Sequence, residues 1–229
     1  MRVLAIDCST EALSVAAGDA VDITQRHGRA GQSHSELALA WIDEVLATRA
    51  WRVRDLDGIA FGAGPGTFTG IRIACGVAQG LALVADVPVV AVPTLEAIAQ
   101  RAYRLNGATR VLACLDARMR EVYVGAYELA VDRWIAKMTP TVLKPGELEA
   151  PQGAWHGAGG GFAAYPQLAD STQFSGVDAS IAPVASAIVE LAAIRLRAGE
   201  GMTADEALPL YVRHRVALTS AERAAGERL

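Results

Sequence analysis

Val3-Leu4-Ala5-Ile6-Asp7 opens the chain and returns in its middle as Val111-Leu112-Ala113-Cys114-Leu115-Asp116, one residue longer. Each is a short apolar run that stops at a carboxylate. That pattern reads as a buried strand ending in an acidic turn. Eight residues after each aspartate stands a valine, Val15 or Val124, and two places earlier stands Leu13 or Val122. Apolar residues there alternate with smaller or polar ones, as the second strand of a hairpin would. A strand, acidic turn and strand heading each half of the chain mark a duplicated fold. Two unrelated buried hairpins are the competing reading.

Working outward from the first copy, a third strand falls near Val21–Arg26, and Gly28 to Gln32 is a loop. A helix follows from Ser33-His34-Ser35-Glu36, where Ser33 and Glu36 have capping-box spacing. Leu37, Trp41, Ile42, Val45 and Leu46 share one face of it. Gly58–Gly62 is a strand, Gly64-Pro65-Gly66 breaks the chain, and Thr67-Phe68-Thr69-Gly70 opens a long helix to about Ala85. A strand at Val89–Val92 and a helix at Thr94–Arg104 complete the first half. After the second copy the signal thins beyond Tyr127. A turn at Lys144-Pro145-Gly146, a short strand entering a glycine loop at Trp155–Gly161, and a helix at Val184–Arg197 can still be read. Residues 219–229 are polar and expected to be loose. The fold class is α/β: an actin-like ATPase (ASKHA), sugar-kinase-like architecture. Its two lobes, 1–108 and 109–229, each open with a strand–turn–strand hairpin and carry a mixed sheet flanked by helices.

Composition narrows the function. The 229 residues are 52 % hydrophobic and 20 % charged, enough apolar material for real cores. The net charge of −4 argues against a chain that grips RNA alone, because that task needs a basic face. Cys8, Cys75 and Cys114 show no CxxC pair and no metal-ligand spacing, so they read as reduced thiols. Asp7 interrupts the start too early for an export signal. The apolar run from Ile73 to Val92 is broken by Gln79, Asp86 and Pro88, as in a core helix and strand rather than a membrane span.

Three places could carry chemistry. Asp7-Cys8-Ser9-Thr10 has hydroxyls and backbone N–H groups able to cradle a phosphate, with a carboxylate to hold hydrated Mg²⁺. An ordinary hairpin turn, with Asp and Ser bonding their own backbone, is the plainer reading. Gly64–Gly70 places two threonines at a helix start, where anions are attracted. It lacks the GK[ST] of a Walker loop, so capping and close packing are favoured. Gly70, Ala74, Ala78 and Ala82, four apart, make a thin face that another helix could approach. The glycine run Gly157–Gly161 could lie against an adenosine. His27, His34, His156 and His214 form no HExxH or HxxxH pair, and no GxSxG elbow occurs.

The segments VLAIDCSTEALSVA (3–16), HSELALAWIDEVL (34–46), GPGTFTGIRIACGVAQGLAL (64–83), PVVAVPTLEAIA (88–99), TRVLACLDARMREVYVGAY (109–127) and LPLYVRHRVA (208–217) resemble the TsaB (YeaZ) family in order and spacing. GPGTFTGIRI and DARMREVY are the most specific. Residues 128–182 match more loosely. The resemblance implies a cytoplasmic protein required for threonylcarbamoylation of the adenosine after the anticodon, in tRNAs reading codons that begin with A. It implies pairing with the transferase TsaD, a larger paralogue, and with the ATPase TsaE. Contact with tRNA would come only through the complex, with no membrane association. The catalytic paralogue holds its metal with HxxxH, and the matching places here are Thr94 and Ile98, which cannot serve. The expectation is therefore a non-catalytic scaffold with no metal, and no cofactor in the isolated chain. ATP or ADP would sit at or near the partner interface of the complex. The helices Ser35–Thr48 and Thr69–Leu83 would present that interface, through Leu37, Trp41, Thr67, Thr69 and Arg72. The same surface would pair two copies when the paralogue is missing. Competing classes are an active ASKHA kinase or ATPase using Asp7 and Asp116, and a metallopeptidase of the glycoprotease type.

Overall fold

The computed structural model describes residues 1–19, 21–30, 34–170 and 174–213. Ser33 of the expected capping box, His214 and the polar tail lie outside these residues.

The first lobe runs β1 (Val3–Asp7), β2 (Ala12–Gly18), β3 (Ile23–Arg29), α1 (His34–Thr48), β4 (Gly58–Gly64), α2 (Phe68–Ala85), β5 (Val89–Pro93) and α3 (Thr94–Asn106). The second runs β6 (Arg110–Arg118), β7 (Glu121–Ala130), β8 (Arg133–Leu143), β9 (Trp155–Ala158), α4 (Gly161–Ala164), β10 (Phe174–Asp178) and α5 (Ala185–Arg197). The two sheets have orders β3-β2-β1-β4-β5 and β10-β9-β6-β7-β8. Read from its other edge, the second order repeats the first. In each, the opening three strands pair antiparallel and the next two add in parallel. The echo in the sequence is a duplicated fold.

Register refines the echo. Ile6 faces Val15 across the first hairpin and Cys114 faces Val124 across the second. Counting on by one, Asp7 matches Leu115, since Asp7 pairs with Ser14 and Leu115 with Tyr123. The extra residue therefore pushes Asp116 one place further along its strand. On a pleated strand one place is the opposite face.

Helices α1 and α2 cover one face of the first sheet. The stripe Gly70, Ala74, Ala78 and Ala82 is buried there. The thin face read as open to another helix is thus used inside the chain. Small side chains let α2 lie close on β4 and β1, and a Cβ on Gly70 would collide with the Cys8 carbonyl. By length and composition alone α2 is apolar enough to cross a membrane. In the fold, it lies on the sheet.

The lobes exchange helices across the division between their strands. The strands divide at 108/109, but the end of the chain returns to the first lobe. Helix α5 buries Ala185, Ile188, Val189, Leu191 and Ala192 against Val3, Ala5, Ala16, Ala60 and Val90, on the face opposite α1 and α2. Met202 then exchanges both backbone hydrogen bonds with Val89, at 2.8 and 2.9 Å. Conversely α3 buries Leu95, Ile98 and Ala102 against Val111 and Ala113 of the second sheet. Each lobe lends a helix to the space between them. Strands β8 and β10, where the sequence signal was thin, complete the second sheet.

Candidate functional site

The acidic turns of both lobes and the Gly64–Gly70 loop converge on a cleft between the lobes, a cavity of about 660 Å³. Ser9, Thr10, Glu11, Pro65, Thr67 and Phe68 line it from the first lobe, and Leu115, Asp116, Arg118 and Tyr123 from the second. Residues 210–213 close one side.

Asp7 does not line it. Its side chain turns inward at 1 % exposure, packed against Gly62 so closely that a Cβ there would overlap the carboxylate. One carboxylate oxygen accepts from the Ser9 hydroxyl at 3.0 Å. The other has no partner. Burial pushes the Asp7 carboxyl up to about 6, with the Ser9 hydrogen bonds pulling the other way. The Thr10 hydroxyl accepts from the Ala12 N–H at 3.2 Å, so the segment read as a phosphate cradle bonds itself like an ordinary hairpin turn. Ser9 and Thr10 reach the cleft wall, but Asp7 stays behind it.

Asp116 does face the cleft, because of the one-residue offset. Its carboxylate caps the turn, accepting from the Arg118 N–H at 2.9 Å and from the guanidinium at 3.3 Å. Arg118 also reaches Glu11 of the other lobe, at 3.3 Å. Arg118, Met119 and Arg120 all have left-handed backbones, with φ of 61°, 54° and 60°. Three such non-glycine residues in succession are costly.

The expected interface residues separate into two groups. Trp41 is 7 % exposed and lies in the first lobe's own core, its ring against Gly28 and under the Arg26 guanidinium at 4.5 Å. Leu37 is partly buried against the same core. Neither is a free anchor. Apolar periodicity showed that they share a helix face, and that face is the one α1 turns to the sheet. Thr67, Thr69 and Arg72 are exposed. Arg72 stacks over Phe68, 3.3 Å from the ring centroid, and its Nε donates to the Tyr211 hydroxyl at 2.8 Å.

Sequence reading gave α2 to the partner interface through Thr69 and Arg72, but did not single out Gly76, Gly80 and Val84 on its outer face. Thr69, Arg72, Gly76, Gly80 and Leu83 follow helical spacing on the side away from the sheet, while Ile73 and Val77 are partly buried against the lobe's own core. Leu83 and Val84 are 73 % and 79 % exposed, and Phe68 at the helix start 54 %. Around Gly76 and Gly80 there is open space wide enough that an added Cβ would meet nothing. The available signal was a second small-residue stripe, Gly76 and Gly80, offset from the alanines.

Thr94 and Ile98, at the start of α3, are fully buried. The Thr94 hydroxyl has no partner. These residues do not fit a metal ion, and among the described residues no three His, Cys, Asp or Glu side chains stand close enough to hold one.

Residues 21–220 match the family model of TsaD, tRNA N6-adenosine threonylcarbamoyltransferase. The chain is 37 % identical to the tRNA threonylcarbamoyladenosine biosynthesis protein TsaB of Escherichia coli K12, over 95 % of this chain and 96 % of that one. It is 35 % identical to the protein of the same name in Haemophilus influenzae, over 94 % and 95 %. The solved structure of YeaZ from Pseudomonas aeruginosa superposes with a TM-score of 0.86 at 39 % identity, covering 92 % of this chain and 99 % of that one.

Proposed function

This chain belongs to the TsaB (YeaZ) family, and from that premise we propose that it serves threonylcarbamoyladenosine formation on tRNA as a non-catalytic subunit. Its contribution is a surface. The observation that carries this reading is the outer face of α2, with exposed apolar side chains at its two ends and a shallow groove at Gly76 and Gly80 between them. A helix of a partner can approach such a groove closely, ridge into groove. Solvent exposure of Leu83, Val84 and Phe68 is unfavourable for a chain that stays alone. The partner is the TsaD-type transferase, with a TsaE-type ATPase joining the pair. Without the transferase, a second copy of this chain takes the face. tRNA is engaged through the assembled complex, in keeping with the net charge of −4.

The non-catalytic part of the proposal is supported by Thr94 and Ile98, which stand where a metal-holding relative carries histidines. ATP or ADP, on this reading, is held where the subunits meet rather than at Asp7, whose carboxylate lies behind the cleft wall.

Gly80→Arg tests the surface. Arginine is the better helix former by up to about 1 kcal/mol, so the free variant should melt no lower than the parent. The long side chain fills the groove, and affinity for the transferase should fall about a hundredfold, roughly 3 kcal/mol. tRNA modification in a reconstituted assay should fall with it. A variant that binds the transferase at the parent strength sinks the proposal.

A further inference from the structure

We propose that residues 208–213 form a strap that holds the two lobes together over the cleft and imposes the conformation of the β6–β7 turn. After Met202 pairs with β5, the chain runs along the first lobe. The Ala207 carbonyl accepts from Gln79 at 3.0 Å, and the Leu210 N–H donates to the Ala63 carbonyl at 2.8 Å. Gly64, with φ of 110°, makes room, because a Cβ there would stand 2.9 Å from the Leu210 carbonyl oxygen. Tyr211 then lies beside Phe68 with ring centroids 6.4 Å apart, and its hydroxyl accepts from Arg72.

Two residues further on, the strap is in the second lobe. The Arg213 guanidinium donates to the Ala117 carbonyl at 3.0 Å, pairs with the Glu121 carboxylate, and contacts the Met119 sulfur at 3.0 Å. These three contacts fall on both flanks and the tip of the turn that carries the left-handed Arg118, Met119 and Arg120. Such a conformation persists only where its surroundings over-determine it. Arg213 supplies that constraint from outside the turn. The same turn sends Arg118 across the cleft to Glu11. The strap therefore acts on the cleft twice: it walls one side with Leu210 to Arg213, and it fixes the turn that walls another.

A molecule entering from the strap side must displace Tyr211 from Arg72. Withdrawal of the strap frees the turn and opens that side of the cleft.

The test is hydrogen exchange on four purified chains: the full chain, one ending at Arg213, one ending at Ala207, and the full chain carrying Tyr211→Phe with Arg213→Ala. The strap predicts about tenfold faster exchange in residues 115–121 for the last two, and unchanged exchange in the chain ending at Arg213. Exchange in β1 and β4 should stay at the parent rate in all four. The double variant keeps the test decisive if the shorter chain does not fold. Parent-like protection of 115–121 in the double variant overturns the proposal. So does full loss of protection in the chain ending at Arg213, because that would put the tie beyond the strap.

Discussion

The two lobes share a strand order, yet after the fourth strand of each the chain behaves differently. In the first lobe β4 runs through a glycine loop into α2, which spans Phe68–Ala85. In the second, β9 runs through Gly159-Gly160-Gly161 into α4, a single turn at Gly161–Ala164. In both lobes a glycine beyond the fourth strand presses on the backbone of the opening hairpin, just past β1 in the first lobe and within β6 in the second. Gly70 lies against the Cys8 carbonyl, and Gly159 against that of Cys114. The packing device was duplicated with the fold, but the long helix stands in one lobe only. Among the described residues, the first lobe is the one whose fourth strand leads into a long helix with an exposed outer face. On the proposed reading, the site of assembly goes with the lobe that carries the long helix, not with the lobe whose acidic carboxylate faces the cleft.

The largest effect should come from breaking the shared device in the lobe that carries the long helix. Gly70→Val places a branched side chain against backbone that cannot move without shifting β1. The expected cost is more than about 4 kcal/mol, seen as a low melting temperature or no soluble protein. The control is Gly160→Ala in the other loop. Gly160 has φ of −63° and open space beyond its Cα, so alanine should be neutral or slightly stabilising. Equal damage at both positions would mean that the loops do not differ in the way described.

The acidic turns give the next contrast. Asp7 is buried with its carboxyl raised from 3.8 to about 6, chiefly by desolvation. A carboxyl raised in the folded state stabilises the fold below its unfolded value. That stability is lost as pH rises through the folded value. The window is therefore roughly pH 4 to 6, and the amplitude is on the order of 3 kcal/mol. Asp7→Asn should flatten this fall in a chemical-denaturation series run from pH 4 to 8. Asp116→Asn should leave the fall in place, because Asp116 faces the cleft and caps an exposed turn. If both variants, or neither, flatten the curve, the inward placement of Asp7 is wrong.

Much of this was legible in the sequence, and the remainder was hidden for identifiable reasons. The duplicated hairpins, β4, β5, α2, α3 and α5 declared themselves through apolar runs and breakers. β8 did not: its residues are a mixture of exposed and half-buried on a sheet edge, with Pro140 inside, so neither period stands out. The offset between Asp7 and Asp116 was on the page as one extra residue. Its consequence depended on register, which only the paired strand reveals. Trp41 was misjudged because one apolar stripe along α1 serves core and partner equally well on paper. The strap was illegible, since LPLYVR has no period and its contacts lie 92 to 147 residues away along the chain.

The smallest prediction concerns the strained turn that only the second lobe has. Arg120 holds φ of 60°, its side chain is exposed, and no hydrogen bond or ion pair is recorded for that side chain among the described residues. A left-handed backbone costs an ordinary L-residue about 1 kcal/mol that glycine does not incur. Arg120→Gly should thus stabilise the chain, less the extra freedom that glycine gives the unfolded state, for a net gain of about 0.5 kcal/mol. Urea denaturation resolves a gain of that size when the slope is unchanged. Combined with Arg213→Ala, the same substitution should recover part of the protection lost from residues 115–121, because a turn that carries less strain needs less clamping. A glycine that destabilises the turn would mean that the Arg120 side chain contributes more there than the backbone strain costs.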